Sequence, residues 1–299
     1  MPSRPLLVLS AVLLGAAPAL AQDQDFSKVE VKNVPISGAV SMLQGSGGNI
    51  GVLVGADGVL LVDDEYGPLV PKILAAVKQL SPKPVRFVVN THWHGDHTGG
   101  NAGMDTEGAV IVAQDNVRKR LSTEQVNTFF KRTTPAAPAI AWPVVTFAEG
   151  LTFHFDGEDV EVVHVVPAHT DGDSVLWFRK ANVVHMGDNF FNGLYPFIDA
   201  ASGGSVDGMV TAVDSVLSRI NDQTKVIPGH GPLGTKADLK KFRDMLATIR
   251  DRIKKDIAAG MTQDQVVASK PTADFDAAWG GGFLKPDAFT TLVYSVLKP

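Results

Sequence analysis

The 299-residue sequence contains no cysteine. Disulfide bonds and thiolate ligands are therefore excluded, and any metal site must be built from nitrogen and oxygen ligands. Without disulfides the fold depends on its hydrophobic core, and 44% hydrophobic residues in a chain of this length are enough to form one. The charged fraction of 20% is typical of a globular protein and not of a disordered one.

Basic residues are also scarce. The chain has 27 Lys and Arg against 32 Asp and Glu, which gives a net charge of -5. A surface that binds phosphate backbones needs a basic excess, so no nucleic-acid partner is expected. The expected partner is a small-molecule substrate, and the oligomeric state stays open.

The sequence lacks an apolar run of about 20 residues, the length that a membrane-spanning helix needs. The run near the start extends only from Leu6 to about Ala17. It follows Arg4, and the small residues of Ala19-Leu20-Ala21 form a signal-peptidase site. We therefore predict a cleaved signal peptide over residues 1–21 and one domain with a helical C-terminal segment over residues 22–299. The protein is expected to be periplasmic or secreted, with no membrane partner.

Apolar runs with strand or helix spacing alternate along the chain. The first half predicts a hairpin at 47–64, a helix at 68–80, strands at 85–89 and 109–113, a helix at 116–130 and an irregular stretch at 133–143. The second half predicts strands between 151 and 186, a helix at 206–220, a strand at 225–227 and helices from 236 to 259. Two β-rich halves with helices predict an α/β (α+β) sandwich of sheets covered by helices.

Three of the eight histidines lie in one short stretch, NTHWHGDHTGGN, at residues 90–101. This stretch follows the predicted strand at 85–89. Three other predicted strands are also followed within a few residues by a potential metal ligand. The candidate ligands are His92, His94, Asp96, His97, His169, Asp188 and His230. If these strands run in the same direction, the seven side chains meet at one edge of the sandwich.

Five imidazoles and two carboxylates exceed the three or four protein ligands of a single zinc ion, so the sequence predicts two Zn²⁺ per chain. The first ion would be held by His92, His94 and His169. The second would be held by Asp96, His97 and His230, with Asp188 bridging the two. A hydroxide shared by the ions would be the nucleophile of a hydrolysis for which Asp96 is catalytic. Iron and manganese, which bind the same ligand types, stay open as alternatives.

The linked motifs HWHGDH, PAHTDGDS, Gly187-Asp188 and PGHG resemble those of the metallo-β-lactamase-fold hydrolase superfamily over about residues 47–232. The resemblance implies an αββα four-layer sandwich of two mixed sheets flanked by helices, with a dinuclear zinc site at one edge. Its members include β-lactamases, glyoxalase II, lactonases, sulfatases and nucleases.

Some details of the resemblance indicate one substrate class and some indicate another. The pair of His97 and Asp188 is similar to glyoxalase II and many lactonases, and a carboxylate-binding Lys of some β-lactamases is absent from residues 189–196. Export favours β-lactams, which are met in the periplasm. We expect a β-lactamase-like hydrolase, with hydrolysis of a lactone or thioester as the alternative. An iron-binding redox protein is the alternative of a different class.

Three further sets of residues complete the predictions. The apolar wall of a substrate pocket is predicted to include Trp93, Phe190, Phe191 and Tyr195. Residues that orient the ligands are sought among Asp63, Asp64, Thr170 and Asp173. The remaining histidines lie inside predicted strands and are interpreted as core or flanking residues: His154, His164 and His185.

Overall fold

A computed structural model describes residues 25–298 of the chain. The predicted signal peptide at residues 1–21 lies outside the described residues. The rest forms a seven-stranded sheet, a six-stranded sheet and a separate two-stranded hairpin, with helices on the outer faces of the two large sheets. Between residues 25 and 298, no helix has both the length and the apolar character needed to cross a membrane.

The strands and helices of the described residues are short, apart from one long helix near the C-terminus. The strands are β1 (Lys32–Ser37), β2 (Val40–Gln44), β3 (Ile50–Val54), β4 (Val59–Val62), β5 (Val85–Val89), β6 (Val110–Gln114), β7 (Gln125–Asn127), β8 (Arg132–Thr134), β9 (Val145–Phe147), β10 (Gly150–Phe155), β11 (Glu158–His164), β12 (Ser174–Phe178), β13 (Val183–His185), β14 (Lys225–Ile227) and β15 (Gly234–Thr235). The α-helices are α1 (Val70–Leu80), α2 (Gly95–Thr98), α3 (Asn101–Thr106), α4 (Asp115–Leu121), α5 (Val206–Leu217), α6 (Lys236–Ala258), α7 (Gln263–Ala268), α8 (Asp276–Trp279) and α9 (Pro286–Leu297).

The connections between strands decide their directions. The first sheet has the order β1-β2-β3-β4-β5-β6-β9, with antiparallel pairs up to β4 and parallel pairs from β4 onward, where helices connect the strands. The second sheet has the order β10-β11-β12-β13-β14-β15, and β13 runs parallel to β14. Because β12 is antiparallel to both of its neighbours, β11 runs in the same direction as β13 and β14.

Apolar side chains fill the space between the four layers. Between the sheets, Leu60 and Val62 belong to the same core as Val160 and Val162 of the second sheet. Helices α1 and α3 cover the outer face of the first sheet, and α5, α6 and α9 cover that of the second. Strand β4, covered on both faces, is buried and apolar along its whole length. The predicted αββα sandwich of two mixed sheets is confirmed.

The predicted helix at residues 116–130 is wrong in its second half. Helix α4 ends at Leu121, and the chain then forms the β7–β8 hairpin. The hydroxyls of Ser122 and Thr123 donate to the carbonyl of Lys119, which closes the last turn of the helix. Apolar residues that supported a longer helix, including Phe130, instead lie exposed on the hairpin. The other predicted strands and helices are found close to their predicted bounds.

Candidate metal centre

The loop after β5 is held in place by hydrogen bonds at both of its ends. The Asn90 backbone donates to the carbonyl of Val112 in the neighbouring strand, and the side chains of Asn90 and Asn101 bond each other at 3.0 Å. Between these anchors the chain turns into α2, which begins directly after His94. This geometry presents His92, His94, Asp96 and His97 at the end of the parallel strands.

The structure brings four of the predicted ligands into a first group, His92, His94, His169 and Asp188, with one ligand atom of each within 4.8 Å of the others. The Nε2 atom of His169 lies 2.8 Å from Nδ1 of His94. One carboxylate oxygen of Asp188, Oδ2, lies 3.4 Å from Nε2 of His169 and 3.9 Å from Nε2 of His92. Three imidazoles from two loops therefore lie around the carboxylate of Asp188.

The other three predicted ligands, Asp96, His97 and His230, form a second group beside the first. The Nε2 atoms of His97 and His230 are 3.4 Å apart. Oδ2 of Asp96 lies 3.3 Å from Nε2 of His230. The second carboxylate oxygen of Asp188, Oδ1, lies 3.0 Å from His97 and 3.4 Å from His230. Asp188 thus stands between the groups with one oxygen toward each.

Acceptors outside the groups fix the protonation of the imidazoles. Nδ1 of His169 lies 2.8 Å from the carbonyl oxygen of Phe197, and Nε2 of His94 lies 3.0 Å from Oδ2 of Asp199. A carbonyl and a carboxylate can only accept, so each of these nitrogens carries the proton. The opposite ring nitrogen of each histidine, the one facing the first group, is left with its lone pair.

Asp63 controls the histidines of both groups. Its carboxylate accepts from Nδ1 of His97 at 2.8 Å and from the backbone and hydroxyl of Thr91 at 2.7 and 2.8 Å. Because the Thr91 hydroxyl donates its only proton to Asp63, it can only accept from Nδ1 of His92, 3.0 Å away. One fully buried carboxylate therefore directs the Nε2 atoms of His97 and His92 toward the cluster.

The groups have the composition and the unmet bonding capacity of a metal site. Nε2 of His92 is buried without any hydrogen-bond partner, although a polar atom in that position normally has one. A cation facing this atom would satisfy it. Imidazole nitrogens and carboxylate oxygens are the ligand types of zinc, iron and manganese, so the residues fit a divalent metal ion.

The charges are distributed unequally over the two groups. Burial lowers the pKa of His92 well below its usual range, and burial lowers that of His169 to about 4. Burial also opposes the charged forms of Asp188 and His230. In these two residues, however, the interactions with oppositely charged neighbours have the larger effect on the pKa. The surrounding imidazoles lower the pKa of Asp188, and the carboxylates of Asp188 and Asp96 raise that of His230 to about 9. The second group therefore contains ionised imidazoles paired with carboxylates, whereas the buried imidazoles of His92 and His169 are neutral.

Two glycines permit the close approach of the surrounding loops. A Cβ atom on Gly48 would lie 2.1 Å from Cε1 of His97, and one on Gly229 would lie 2.0 Å from Oδ1 of Asp188. Both contacts are far inside van der Waals distance. The Gly-rich stretch before β3 and the turn that carries His230 can therefore pack directly against the cluster only because these positions lack a side chain.

The proposed orienting residues differ in what they contact. Asp173 accepts from the backbone of His169 at 2.6 Å and from the hydroxyl of Thr170 at 2.5 Å, which shapes the loop that carries His169. Asp64 accepts from the backbone of Gly100 at 2.9 Å and bonds no ligand side chain.

The four residues predicted for the apolar wall are all buried in the structure. Phe190 and Tyr195 are completely or almost completely buried in the core beneath α6 and α9. Trp93 is buried against α4, with its Nε1 donating to Ser202 at 3.1 Å. In this structure none of these three offers a surface to a substrate. Phe191 does reach the cluster, where its ring stacks on His230 at 5.0 Å and fixes the orientation of that imidazole.

The three other histidines lie in strands, as predicted. His154 and His164 bond Asp159 and the carbonyl of Asp173, and His185 is buried with Nε2 3.0 Å from the carbonyl of Asn49. Asp199 is an orienting residue that the sequence did not reveal. It lies 105 positions from His94, in a loop with no strand directly before it, so no local pattern marked it.

A four-layer αββα sandwich with a His/Asp cluster at one edge defines a class of metal-dependent hydrolases. Residues 43–234 match the model of the metallo-beta-lactamase superfamily. Since this match covers more than half of the chain, the protein belongs to that superfamily.

Similar proteins agree with this assignment. The metallo-beta-lactamase type 2 of Bacillus sp. (strain 170) is 24% identical over 196 residues, which are 65% of this chain and 71% of that protein. A solved metallo-beta-lactamase from Pontibacter korlensis superposes with a TM-score of 0.61 at 20% identity, covering 73% of this chain and 99% of that one. The sec-alkylsulfatase Pisa1 from Pseudomonas sp. superposes with a TM-score of 0.67 at 19% identity, covering 89% and 50%. These structures share the fold.

Proposed function

We propose that the protein is an exported zinc hydrolase that binds two ions and opens the cyclic amide of β-lactams. The observation that carries the dinuclear centre is the placement of Asp188, whose two carboxylate oxygens face two separate groups of imidazoles. The choice of β-lactams rests on the similarity to the metallo-beta-lactamase of Bacillus sp. and on the signal peptide predicted from the sequence. Export would bring the enzyme to the compartment where β-lactams are met.

In this proposal each group holds one ion. His92, His94 and His169 would bind the first, Asp96, His97 and His230 the second, and Asp188 both. The bound ions would supply Lewis acidity, which activates water for attack and polarises the scissile carbonyl.

Asp96 is the acidic side chain best placed to move a proton. Its side chain is 27% exposed, whereas that of Asp188 is 5% exposed, so a substrate and water can reach Asp96. Burial opposes its ionisation, but the charge of His97 and the hydrogen bond from His230 lower its pKa, which keeps it ionised at neutral pH. The carboxylate oxygen of Asp96 that does not bind the ion can therefore accept a proton from the attacking water and deliver it to the leaving nitrogen.

One panel of substrates tests the proposed activity. The metal-loaded protein is assayed for kcat/KM on a chromogenic cephalosporin, a penicillin, a carbapenem, an acyl-homoserine lactone and a glutathione thioester. Turnover of the β-lactams supports the proposal. Failure on all three, with turnover of the lactone or thioester, would instead assign the alternative acyl substrate, which the pair of His97 and Asp188 favours.

Metal removal and one variant test the proposed machinery. A chelator should abolish hydrolysis and zinc should restore it, and chelator-resistant activity would contradict the proposal. Asp96→Ala should collapse turnover while the unfolding transition moves little, because this half-buried side chain contributes little to packing. Metal analysis of the purified protein distinguishes the zinc hydrolase from the alternative of an iron-binding redox protein. The redox alternative requires iron at full occupancy.

A further inference from the structure

Three phenylalanine rings form a row from the metal-ligand cluster to the surface. The ring of Phe197 lies 6.0 Å from the rings of His94 and His169. The ring of Phe130 lies 4.8 Å from Phe197, and that of Phe283 lies 6.4 Å from Phe130. The exposed fraction rises along this row from 7% at Phe197 through 46% at Phe130 to 61% at Phe283.

The two outer rings are not part of the packing that holds the fold together. Phe130 and Phe283 belong to none of the apolar cores of the described residues. They come from segments far apart in the chain, the β7–β8 hairpin and the turn between α8 and α9. Adjacent exposed apolar side chains rimmed by polar residues are typical of ligand-binding surfaces.

A small cavity adjoins the inner end of the row, where Phe197 is the one ring of the three that lines it. It has a volume of about 220 Å³, and its lining includes Asn127, Phe129, Phe197, Asp199 and Leu292. A cavity of roughly 150 Å³ lined by apolar side chains is large enough to bind benzene, so this one can hold a single aromatic ring.

The hairpin that carries Phe130 is connected to the cluster. Nδ2 of Asn127 donates to Asp199 at 3.4 Å, and the other oxygen of Asp199 bonds His94. An aromatic ring of a substrate that packs against this row would therefore be separated in space from the imidazoles of the first group by a single residue. The family match ends at residue 234, so Phe283 and Leu292 belong to a part of the chain that the shared family region does not include.

We propose that Phe130, Phe197 and Phe283 form a specificity subsite that binds an aromatic ring of the substrate, next to the acyl group that is hydrolysed. This proposal rests on the proposed hydrolase function and names its substrate class: amides or esters that carry an aryl substituent close to the scissile carbonyl. The subsite adds binding free energy and takes no part in the bond-breaking step.

A matched pair of substrates tests the subsite. The metal-loaded protein and the double variant Phe130→Ala/Phe283→Ala are assayed on a penicillin with a phenylacetyl side chain and on the same penicillin with an acetyl side chain, which have the same scissile bond. We expect the variant to lose about tenfold in kcat/KM on the phenylacetyl substrate, through a higher KM at unchanged kcat, and to stay within about twofold on the acetyl analogue. Val126→Ala, on the same hairpin with 55% exposure, is the matched control and should match the wild type on both.

The outcomes separate the subsite from the hydrolase activity. An equal loss on both substrates, or unchanged selectivity, overturns the subsite and leaves the hydrolase function standing. If the wild type hydrolyses neither substrate, the proposed function fails, and binding of phenylacetate and acetate to the metal-loaded proteins is followed by NMR. Preferential binding of phenylacetate that the double variant loses supports the subsite, whereas absent binding or equal binding by wild type and variant overturns it.

Discussion

Substitution of Asp63 by Asn tests whether one buried carboxylate sets the geometry of the metal centre. The carboxylate accepts three hydrogen bonds, two at Oδ2 from Thr91 and His97 and one at Oδ1 from the Thr91 backbone. An asparagine keeps the shape but has one acceptor oxygen. Its best placement puts that oxygen at the Oδ2 position, where it retains two bonds. The amide nitrogen then faces the backbone N–H of Thr91.

The expected cost follows from this placement. One charge-assisted hydrogen bond is lost, a buried donor is left unpaired, and the two remaining bonds lose their ionic character. A loss of about 2–3 kcal/mol in the free energy of unfolding is expected for the metal-free protein. Removing a group that orients metal ligands also lowers metal affinity by about 10- to 100-fold, because the imidazole of His97 is no longer fixed.

Two measurements check these values. Urea unfolding of the metal-free protein gives the change in stability, and competition with a chromogenic chelator gives the change in zinc affinity. Asp64→Asn is the matched control, since Asp64 is equally buried and adjacent but its side chain bonds only the backbone of Gly100. Wild-type zinc affinity in Asp63→Asn, or an equal loss in both variants, would refute the orienting role of Asp63.

Three further predictions concern other parts of the molecule. Gly48→Ala should weaken metal binding as measured by chelator competition, because the new Cβ meets the His97 ring at 2.1 Å, whereas Gly281→Ala, with no atom within 4 Å, should not. Asp188→Asn should lower the zinc content measured by mass spectrometry from about two ions per chain to about one, because an amide is a poor bridge between two cations. Thr235→Ala should lower the stability by about 1 kcal/mol, since it removes the N-cap of α6. The hydroxyl of Thr235 lowers the pKa of Asp238 below 3.8, so the ionised carboxylate stabilises the fold above that pH, and the difference in Tm between wild type and this variant should shrink as the pH falls below about 4.

The ligand cluster was predictable because each of its members is marked locally. His92, Asp188 and His230 each follow an apolar strand by a few residues, and strands that run in one direction bring such positions to one edge. The hairpin at residues 47–64 and the strand at 225–227 were predictable for a similar reason, since their turn signals and apolar runs are short-range features. The same local logic pointed to Asp63 at the end of β4.

The burial of the residues proposed for the substrate wall was not predictable in the same way. Phe190 and Tyr195 follow Asp188 closely in sequence, but the chain turns them into the core beneath α6 and α9. Which face a side chain takes after an irregular turn depends here on helices that come much later in the chain, and no sequence period carries that information. The hairpin that carries Phe130 was missed because its apolar residues also fit a helix.

The candidate ligands and the exposed rings come from different segments of the chain, although Phe130 also lies inside the region that the family model matches. Every candidate ligand, and Asp63 that orients two of them, lies within residues 43–234, which the family model matches. The exposed rings proposed to select the substrate come from a hairpin inserted between β6 and β9 and from the helical segment after residue 234. A fold can therefore keep one hydrolytic centre while segments attached around it change the substrate. For this reason the identity of the substrate has to be sought in Phe130 and Phe283 and not in the seven candidate ligands.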